Sequence, residues 1–283
     1  MITRRPALTQ DLALDDTIHP VLAKVYASRG ISGASELNNS ATALARFDSL
    51  SGMAVAVDVL QDALFNNKRI LIVGDYDADG ATSTAVMIRG LRSMGASEVQ
   101  YLVPNRFEFG YGLSPAIVEV AKSHSPDVLI TVDNGISSID GVASARAAGM
   151  AVIVTDHHLP GAQLPDANAI VNPNVAGDEF PSKCLAGVGV AFYLLAALRA
   201  RLAQTDWFTR IGATPKLADL LDLVALGTVA DVVPLDHNNR IFVAQGLARI
   251  RAGRCCPGIV ALMQIGKRDP ARAVASDLGF AVG

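Results

Sequence analysis

The chain has 283 residues, of which 51% are hydrophobic and 18% are charged, so it can bury a sizeable core in one large domain with or without a helical subdomain. Its formal net charge of −3 and its three scattered cysteines argue against a globally basic nucleic-acid-binding surface and against a disulfide-rich secreted protein. The sequence shows neither an apolar signal segment nor an uncharged stretch of the roughly 18 residues that a membrane span requires. These features predict a cytoplasmic protein without a membrane segment.

The first part of the chain is predicted to be a helical cap. Residues 1–68 show helical spacing of apolar residues around Val21 and from Val55 to Leu64, interrupted by polar stretches such as 37–40. This cap is expected to pack against the region that follows it.

From residue 69 onwards, short apolar runs alternate with helical patterns. Strands are predicted at 70–74, 99–103, 127–132, 151–155 and 169–171, and helices at 81–93, 115–122, 138–148, 185–202, 216–229, 240–252 and 257–264. Because strands of this kind are β-branched and lack alternation, they are typical of a parallel sheet that is covered on both faces. The predicted fold is therefore α/β, a doubly wound parallel sheet, with a core at 69–235 and a helical connector at 236–283.

Four of the apolar runs end abruptly in aspartate. The runs are 70–73, 129–132, 152–155 and 225–230, and the polar residues after them are Asp75, Asp77, Asp79, Asp133, Asp156, His157, His158 and Asp231. All four runs are interpreted here as strand ends, although the last also falls within a predicted helix. Open α/β sheets bind ligands beyond the carboxyl ends of their strands, so these side chains are expected to share one crevice. Such a concentration of carboxylates requires cations, and the pattern predicts one or two divalent metal ions.

Other interpretations of these motifs are weaker. The aspartates from Asp75 to Asp79 match the start of an EF-hand loop, but position 12 of that loop is Val86 instead of glutamate, and a strand precedes the motif. A haloacid-dehalogenase-type phosphotransferase would leave the 156–158 motif unexplained. The pair Gly187 and Gly189 lacks the third glycine and the preceding strand of a dinucleotide site, so it is interpreted as close helix packing.

Four motifs resemble, in order, those of the DHH phosphoesterase superfamily: Gly74–Gly80, Val132–Gly135, Thr155–His158 and Gly227–Asp231. Within this superfamily, the stretches 103–114, 156–161 and 185–192 resemble the RecJ group of bacterial single-strand-specific exonucleases. The resemblance covers nearly the whole chain. RecJ proteins continue into a second catalytic domain and an oligonucleotide-binding fold, so the resemblance implies a truncated core with part of the substrate cleft missing.

The resemblance also implies roles for individual residues. The implied metal ligands are Asp75, Asp77, Asp79, Asp133, His157 and Asp231. Among them, Asp133 would bridge two ions and Asp75 would contact the more weakly held one. His158 and Arg106 are expected to contact phosphate groups of the substrate, and Asp156 is expected either to support the site or to act as a direct ligand. Carboxylates with one imidazole suit Mn²⁺ or Mg²⁺, and manganese tolerates this mixture best.

The function implied by the resemblance is a metal-dependent 5′→3′ exonuclease that hydrolyses single-stranded DNA to 5′-mononucleotides in DNA repair and recombination. The implied partners are single-stranded DNA, a single-strand-binding protein and a helicase. Two alternatives remain open: another DHH phosphoesterase that acts on oligonucleotides or pyrophosphate, and an inactive scaffold relative. With 24 basic against 27 acidic residues, the chain is expected to bind single-stranded DNA weakly and to cut it poorly on its own.

Overall fold

A five-stranded parallel sheet lies at the centre of the protein. The computed structural model describes residues 18–283, and the first part of the predicted cap, 1–17, lies outside them. The strands are β1 Ile70–Gly74, β2 Val99–Leu102, β3 Val128–Val132, β4 Ala151–Thr155 and β5 Ala169–Val171. Their order in the sheet is β2-β1-β3-β4-β5, and every neighbouring pair is parallel. The predicted α/β fold with a parallel sheet is confirmed.

Helices surround this sheet. In chain order they are α1 Pro20–Ser28, α2 Met53–Phe65, α3 Ala78–Ser93, α4 Arg106–Phe109, α5 Pro115–Lys122, α6 Ile139–Ala147, α7 Gly187–Leu202, α8 Trp207–Arg210, α9 Leu221–Ala230, α10 His237–Arg251, α11 Pro257–Ile265 and α12 Ala275–Asp277. Short 3₁₀ turns lie at Ala34–Leu37, Ala41–Ala43, Phe47–Ser49, Leu217–Leu220 and Pro270–Arg272, and a π-helical turn at Leu278–Val282. Within residues 18–283, no helix combines the length and the apolar character of a bilayer span.

Both faces of β1, β3 and β4 are largely buried, whereas the edge strand β2 exposes Gln100 and Tyr101. Successive side chains of each strand point to opposite sides of the sheet. On one face, Ile72 and Ile130 pack with residues of α2, α3, α7 and α9. On the other face, Leu71 and Leu129 pack with residues of α5 and α6. This arrangement explains why the strands are continuous apolar runs rather than alternating ones.

The strand order places a crevice between β1 and β3. The chain passes from β1 to β2 on one side and then crosses to β3 on the other side of β1. Ligands of open α/β sheets bind at such a reversal, beyond the carboxyl ends of the strands. Gly74 at the end of β1 is in register with Val132 at the end of β3. The residues that follow these two, Asp75 and Asp133, therefore leave the sheet side by side.

The interpretation of the fourth apolar run, 225–230, as a strand end was wrong, whereas the helix predicted over the same residues, at 216–229, is confirmed in α9. This run is not a strand: it forms the last turns of α9, and Asp231 is the residue directly after that helix. Residues 221–228 are all buried, including Asp222 and Thr228. This helix is therefore enclosed on every side, and its sequence lacks the continuous polar stripe that marks a surface helix.

Helix α3 begins at Ala78 rather than at the predicted residue 81. Its start is fixed by Asp77, whose Oδ1 accepts a hydrogen bond of 2.8 Å from the Gly80 N–H in the manner of a helix N-cap. Asp77 and Asp79 consequently belong to the amino end of a helix, and of the three aspartates in this motif only Asp75 directly follows a strand.

Candidate metal centre

The structure brings seven of the predicted site residues together at the carboxyl end of the sheet. Their ligand atoms form three groups, each with all atoms within 4.8 Å of one another: Asp133, His157 and His158; Asp79, His157 and Asp231; and Asp75, Asp77 and Asp133. Asp133 belongs to two of the groups and His157 to two. An acidic cluster of this kind, with an imidazole at its centre, has the donor set of a divalent metal site.

Asp133 directly follows β3 and adopts an unusual backbone conformation. Its φ angle is +60°, in the left-handed region that aspartate and asparagine tolerate better than most residues. Its N–H donates to the Thr155 carbonyl at 3.0 Å, and its own carbonyl accepts a hydrogen bond of 3.2 Å from the Tyr111 hydroxyl. The side chain is thereby turned into the crevice, where it is almost fully buried.

The His157 ring nitrogen Nε2 faces carboxylates from three different elements. It lies 3.1 Å from Asp133 Oδ1, 3.5 Å from Asp231 Oδ2 and 4.0 Å from Asp79 Oδ2. Among residues 18–283, three of these buried atoms have no hydrogen-bond partner: His157 Nε2, Asp133 Oδ1 and Asp231 Oδ2. Buried polar atoms are normally satisfied, so unsatisfied acceptors that converge on one point fit a cation.

Asp79 lies in the first turn of α3 and is held by another helix. Its Oδ2 accepts a hydrogen bond of 2.6 Å from the Gly187 N–H, and its Oδ1 accepts one of 3.0 Å from the Val188 N–H. Both donors are at the amino end of α7, where N–H groups have no partners within the helix and stabilise negative charge. Each carboxylate oxygen keeps a further lone pair for a metal ion.

Asp156 is occupied by protein contacts. Its Oδ2 accepts from the Ile136 N–H at 2.8 Å, while its Oδ1 accepts from the His157 N–H at 2.8 Å and lies 2.7 Å from His158 Nδ1. This arrangement favours a supporting role for Asp156 over direct ligation, because it fixes the ring of His158. Two asparagine side chains hold the same turn: Asn174 donates to the His157 carbonyl and Asn172 to the His158 carbonyl.

Arg106 lies on the short helix α4 near the mouth of the crevice. Its guanidinium carbon is 4.5 Å from the centre of the Tyr76 ring and 5.8 Å from that of the Tyr111 ring. Stacking on aromatic faces holds a guanidinium in place while its N–H groups stay free to bind phosphate. The positive charge of Arg106 also acts on the carboxylate of Asp75, which places this residue beside the acidic cluster.

The acidic cluster strongly perturbs the ionisation of its members. Burial raises the pKa of Asp133 to about 9, and nearby carboxylates such as Asp77 act in the same direction. Burial likewise raises the pKa of Asp75 to about 6. Burial, together with the charges of Asp133 and Asp231, raises the pKa of Asp79 well above its usual value. A bound cation would reverse these shifts, because it favours the ionised carboxylates.

His158 shows the opposite balance of charge. Its hydrogen bond to Asp156 raises the pKa of His158 to about 9, so its imidazole carries a proton on both nitrogens at neutral pH. Burial opposes ionisation of Asp156, but hydrogen bonds from His158 and Ile136 outweigh it and lower the pKa of Asp156. The pair therefore forms an ion pair beside the cluster.

The stability of the metal-free protein is expected to fall as the pH rises. The folded state holds a proton on Asp133 up to a pKa of about 9, against 3.8 for the ordinary carboxyl. Because the unfolded state releases this proton at the lower pKa, the protein loses stability as the pH rises from the lower pKa to the higher one. Urea unfolding with EDTA across this pH range would measure the loss. In Asp133→Asn, the free energy of unfolding should depend less steeply on pH. Equal pH dependence in the variant and the unchanged chain would contradict the raised pKa of Asp133.

Sequence reasoning misses several residues that support this site. Tyr111, which contacts both the Asp133 carbonyl and, at 3.3 Å, His158 Nδ1, lies inside the 103–114 stretch but is not marked there as a site residue. Gly187 is interpreted from the sequence only as a packing residue. Nothing local in the sequence marks Asn172 and Asn174, because their role depends on hydrogen bonds to a turn 14 and 17 residues away.

Comparisons with known proteins identify the family of this chain. The family model for the N-terminal domain of the DHH family matches residues 69–228. The single-stranded-DNA-specific exonuclease RecJ of Dickeya dadantii is 58% identical over 283 residues, which are 100% of this chain and 49% of that protein. The chain thus spans about half the length of the curated relatives it matches.

Solved structures show the same relationship. A crystal structure of exonuclease RecJ bound to manganese is 37% identical, with a TM-score of 0.70, and the match covers 82% of this chain and 56% of that one. The RecJ of Thermus thermophilus in complex with Mn²⁺ is 33% identical, with a TM-score of 0.72, and the match covers 92% of this chain and 35% of that one. Since the family match spans more than half of the residues, the chain belongs to the DHH family, within which it is similar to the RecJ exonucleases.

Proposed function

We propose that this chain is the catalytic core of a metal-dependent exonuclease that hydrolyses single-stranded DNA from the 5′ end to 5′-mononucleotides. The observation that carries the proposal is that buried atoms of Asp133, His157 and Asp231 without hydrogen-bond partners converge in one crevice. In addition, all 283 residues of this chain align at 58% identity with about half of a single-stranded-DNA-specific exonuclease. The proposed biological role is DNA repair and recombination.

The proposed cofactor is Mn²⁺ or Mg²⁺, in two ions. The residues that would hold them are Asp75, Asp77, Asp79, Asp133, His157 and Asp231. When bound, such ions lower the pKa of a water molecule and stabilise the charge that develops on phosphate oxygens. Carboxylates that share a single central imidazole suit these hard cations better than zinc, whose sites usually contain more nitrogen or sulfur. Asp133, which belongs to two of the three ligand groups, is the proposed bridging residue.

Two cationic side chains are proposed to bind the scissile phosphate. Asp156 Oδ1 engages His158 Nδ1 at 2.7 Å, so the protonated His158 has its Nε2–H available for a phosphate oxygen. Arg106, stacked over Tyr76 at 4.5 Å, presents a guanidinium to the same mouth and suits bidentate capture of phosphate. These contacts would orient the DNA backbone, while the acidic cluster is neutralised by its ions.

Further partners and the location are proposed from family resemblance. A single-strand-binding protein and a helicase would supply and open the substrate in the cytoplasm. The other DHH activities, hydrolysis of pyrophosphate or short oligonucleotides, and the inactive scaffold are outcomes that the following experiment separates.

Incubation of the purified chain with 5′-phosphorylated single-stranded DNA and Mn²⁺ is expected to release 5′-mononucleotides. EDTA and the variant Asp231→Asn should stop the release, and a duplex of the same sequence should stay intact. Because the chain has 24 basic and 27 acidic residues, its affinity for single-stranded DNA is expected to be low. Digestion should therefore be distributive and sensitive to salt.

Three other results of this incubation would lead to different conclusions about the activity. Processive digestion at moderate salt would contradict the weak binding but support the activity. Hydrolysis of pyrophosphate or dinucleotides without attack on longer strands would favour another DHH phosphoesterase. Absence of any hydrolysis with either Mn²⁺ or Mg²⁺ would overturn the proposed activity for this chain.

A further inference from the structure

The amino end of α7 is inserted between two of the proposed metal ligands. On one side, the N–H groups of Gly187 and Val188 donate to the two carboxylate oxygens of Asp79 at 2.6 and 3.0 Å. These hydrogen bonds join residues 108 and 109 positions apart. They fix both carboxylate oxygens of Asp79, a residue that is 1% exposed.

On the other side, Gly187 lies against Asp133. A Cβ atom at position 187 would be 2.6 Å from both the Cβ and the Oδ1 of Asp133, which is closer than real Cβ contacts. Asp133 has little room to retreat, because its backbone is held in the left-handed region by neighbouring contacts. A side chain at position 187 would therefore displace one of the two proposed ligands.

The neighbouring glycine of the same helix provides a contrast. A Cβ at Gly189 would meet the flexible end of Leu185 at 3.1 Å, and its next contact, with Phe242, is at 3.6 Å. Neither is a site residue. The two glycines share a helix and a sequence motif, yet only Gly187 contacts the acidic cluster.

We propose that Gly187, together with the Val188 N–H, is a positioning element that sets the distance between Asp79 and Asp133. The inference rests on the metal site of the proposed function and deepens it, because it assigns residues outside the acidic cluster to the geometry of that site. The backbone N–H groups orient Asp79, and the absence of a side chain at position 187 lets Asp133 approach from the opposite side. Neither residue would touch the substrate.

The first test compares Gly187→Ala with the matched control Gly189→Ala. Mn²⁺ affinity is measured by calorimetry and, separately, unfolding of the metal-free proteins in urea. Gly187→Ala is expected to bind Mn²⁺ about 10- to 100-fold more weakly, as is typical when a group that orients a metal ligand is changed. Gly189→Ala should keep the affinity of the unchanged chain, even where its metal-free stability differs.

A second pair tests the N–H donors and keeps the inference testable where Gly187→Ala does not fold. Val188→Pro removes the N–H that binds Asp79 Oδ1, at a first-turn position where helices tolerate proline. Val188→Ala also loses the buried valine methyl groups but retains the N–H. Weaker Mn²⁺ binding by the proline variant than by the alanine variant is the expected result.

The outcomes separate this inference from the proposed function. Two results would overturn the positioning role and leave the proposed function intact, provided that the unchanged chain binds Mn²⁺ tightly. One is equal Mn²⁺ affinity in Val188→Pro and Val188→Ala. The other is a folded Gly187→Ala that binds Mn²⁺ as tightly as the unchanged chain. Absence of Mn²⁺ binding by the unchanged chain would overturn the proposed metal site, and the positioning role with it.

Discussion

Asp133→Ala is expected to abolish Mn²⁺ binding while the sheet remains folded. Asp133 belongs to two of the three ligand groups, so its loss removes a carboxylate from both sides of the site. The fold should survive, because the variant also removes a buried carboxylate oxygen that has no hydrogen-bond partner among the residues described. Calorimetry with Mn²⁺ measures the first effect, and circular dichroism measures the second.

The control for this variant is Asp140→Ala, which removes an exposed carboxylate from the first turn of α6 and should leave Mn²⁺ binding unchanged. Unaltered Mn²⁺ affinity in Asp133→Ala would sink the assignment of the metal site. Loss of the fold in both variants would instead point to a general sensitivity of the β3–α6 region.

Addition of Mn²⁺ is expected to raise the thermal midpoint of the protein, and EDTA is expected to lower it. The clustered carboxylates repel one another without a cation, and only the native state assembles them. Ligand at 100 times its Kd stabilises a folded protein by about 2.7 kcal/mol, which for a chain of 283 residues corresponds to a rise of about 4–5 °C.

Differential scanning calorimetry of the unchanged chain and of Asp133→Ala distinguishes binding at this site from general effects of the salt. Only the unchanged chain should respond to Mn²⁺. A thermal midpoint that ignores both Mn²⁺ and EDTA would show that the aspartates do not form a cation site in solution.

The central sheet could be predicted well from the sequence, because its signal is local. The strands at 70–74, 151–155 and 169–171 have the predicted bounds, since continuous β-branched runs are required where both faces are buried. The clustering of Asp75, Asp133 and Asp156 also follows from a local rule, namely that parallel strands end at the same edge of a sheet.

The rest of the site depends on contacts between distant segments. Asp231 reaches it from the end of a helix, and a helix that is buried on all sides cannot be distinguished from a strand by periodicity alone. The approach of Gly187 to Asp79 joins residues 108 positions apart, and no local pattern encodes it. The assignment of individual metal ligands remains a prediction. The boundaries between the predicted regions 1–68, 69–235 and 236–283 also remain predictions.

The backbone of Asp133 has a consequence for how such a protein would change over time. This residue combines a φ of +60° with a buried carboxyl whose pKa is raised to about 9. In the absence of a cation, both features destabilise the folded state. Glycine would adopt this backbone conformation without strain, and asparagine, which tolerates it as aspartate does, would remove the buried carboxyl group. In a lineage freed from selection for metal binding, these replacements would spread because they stabilise the chain. Loss of activity would then begin with substitutions in the acidic cluster, and an inactive descendant would have a more stable metal-free fold than its active ancestor.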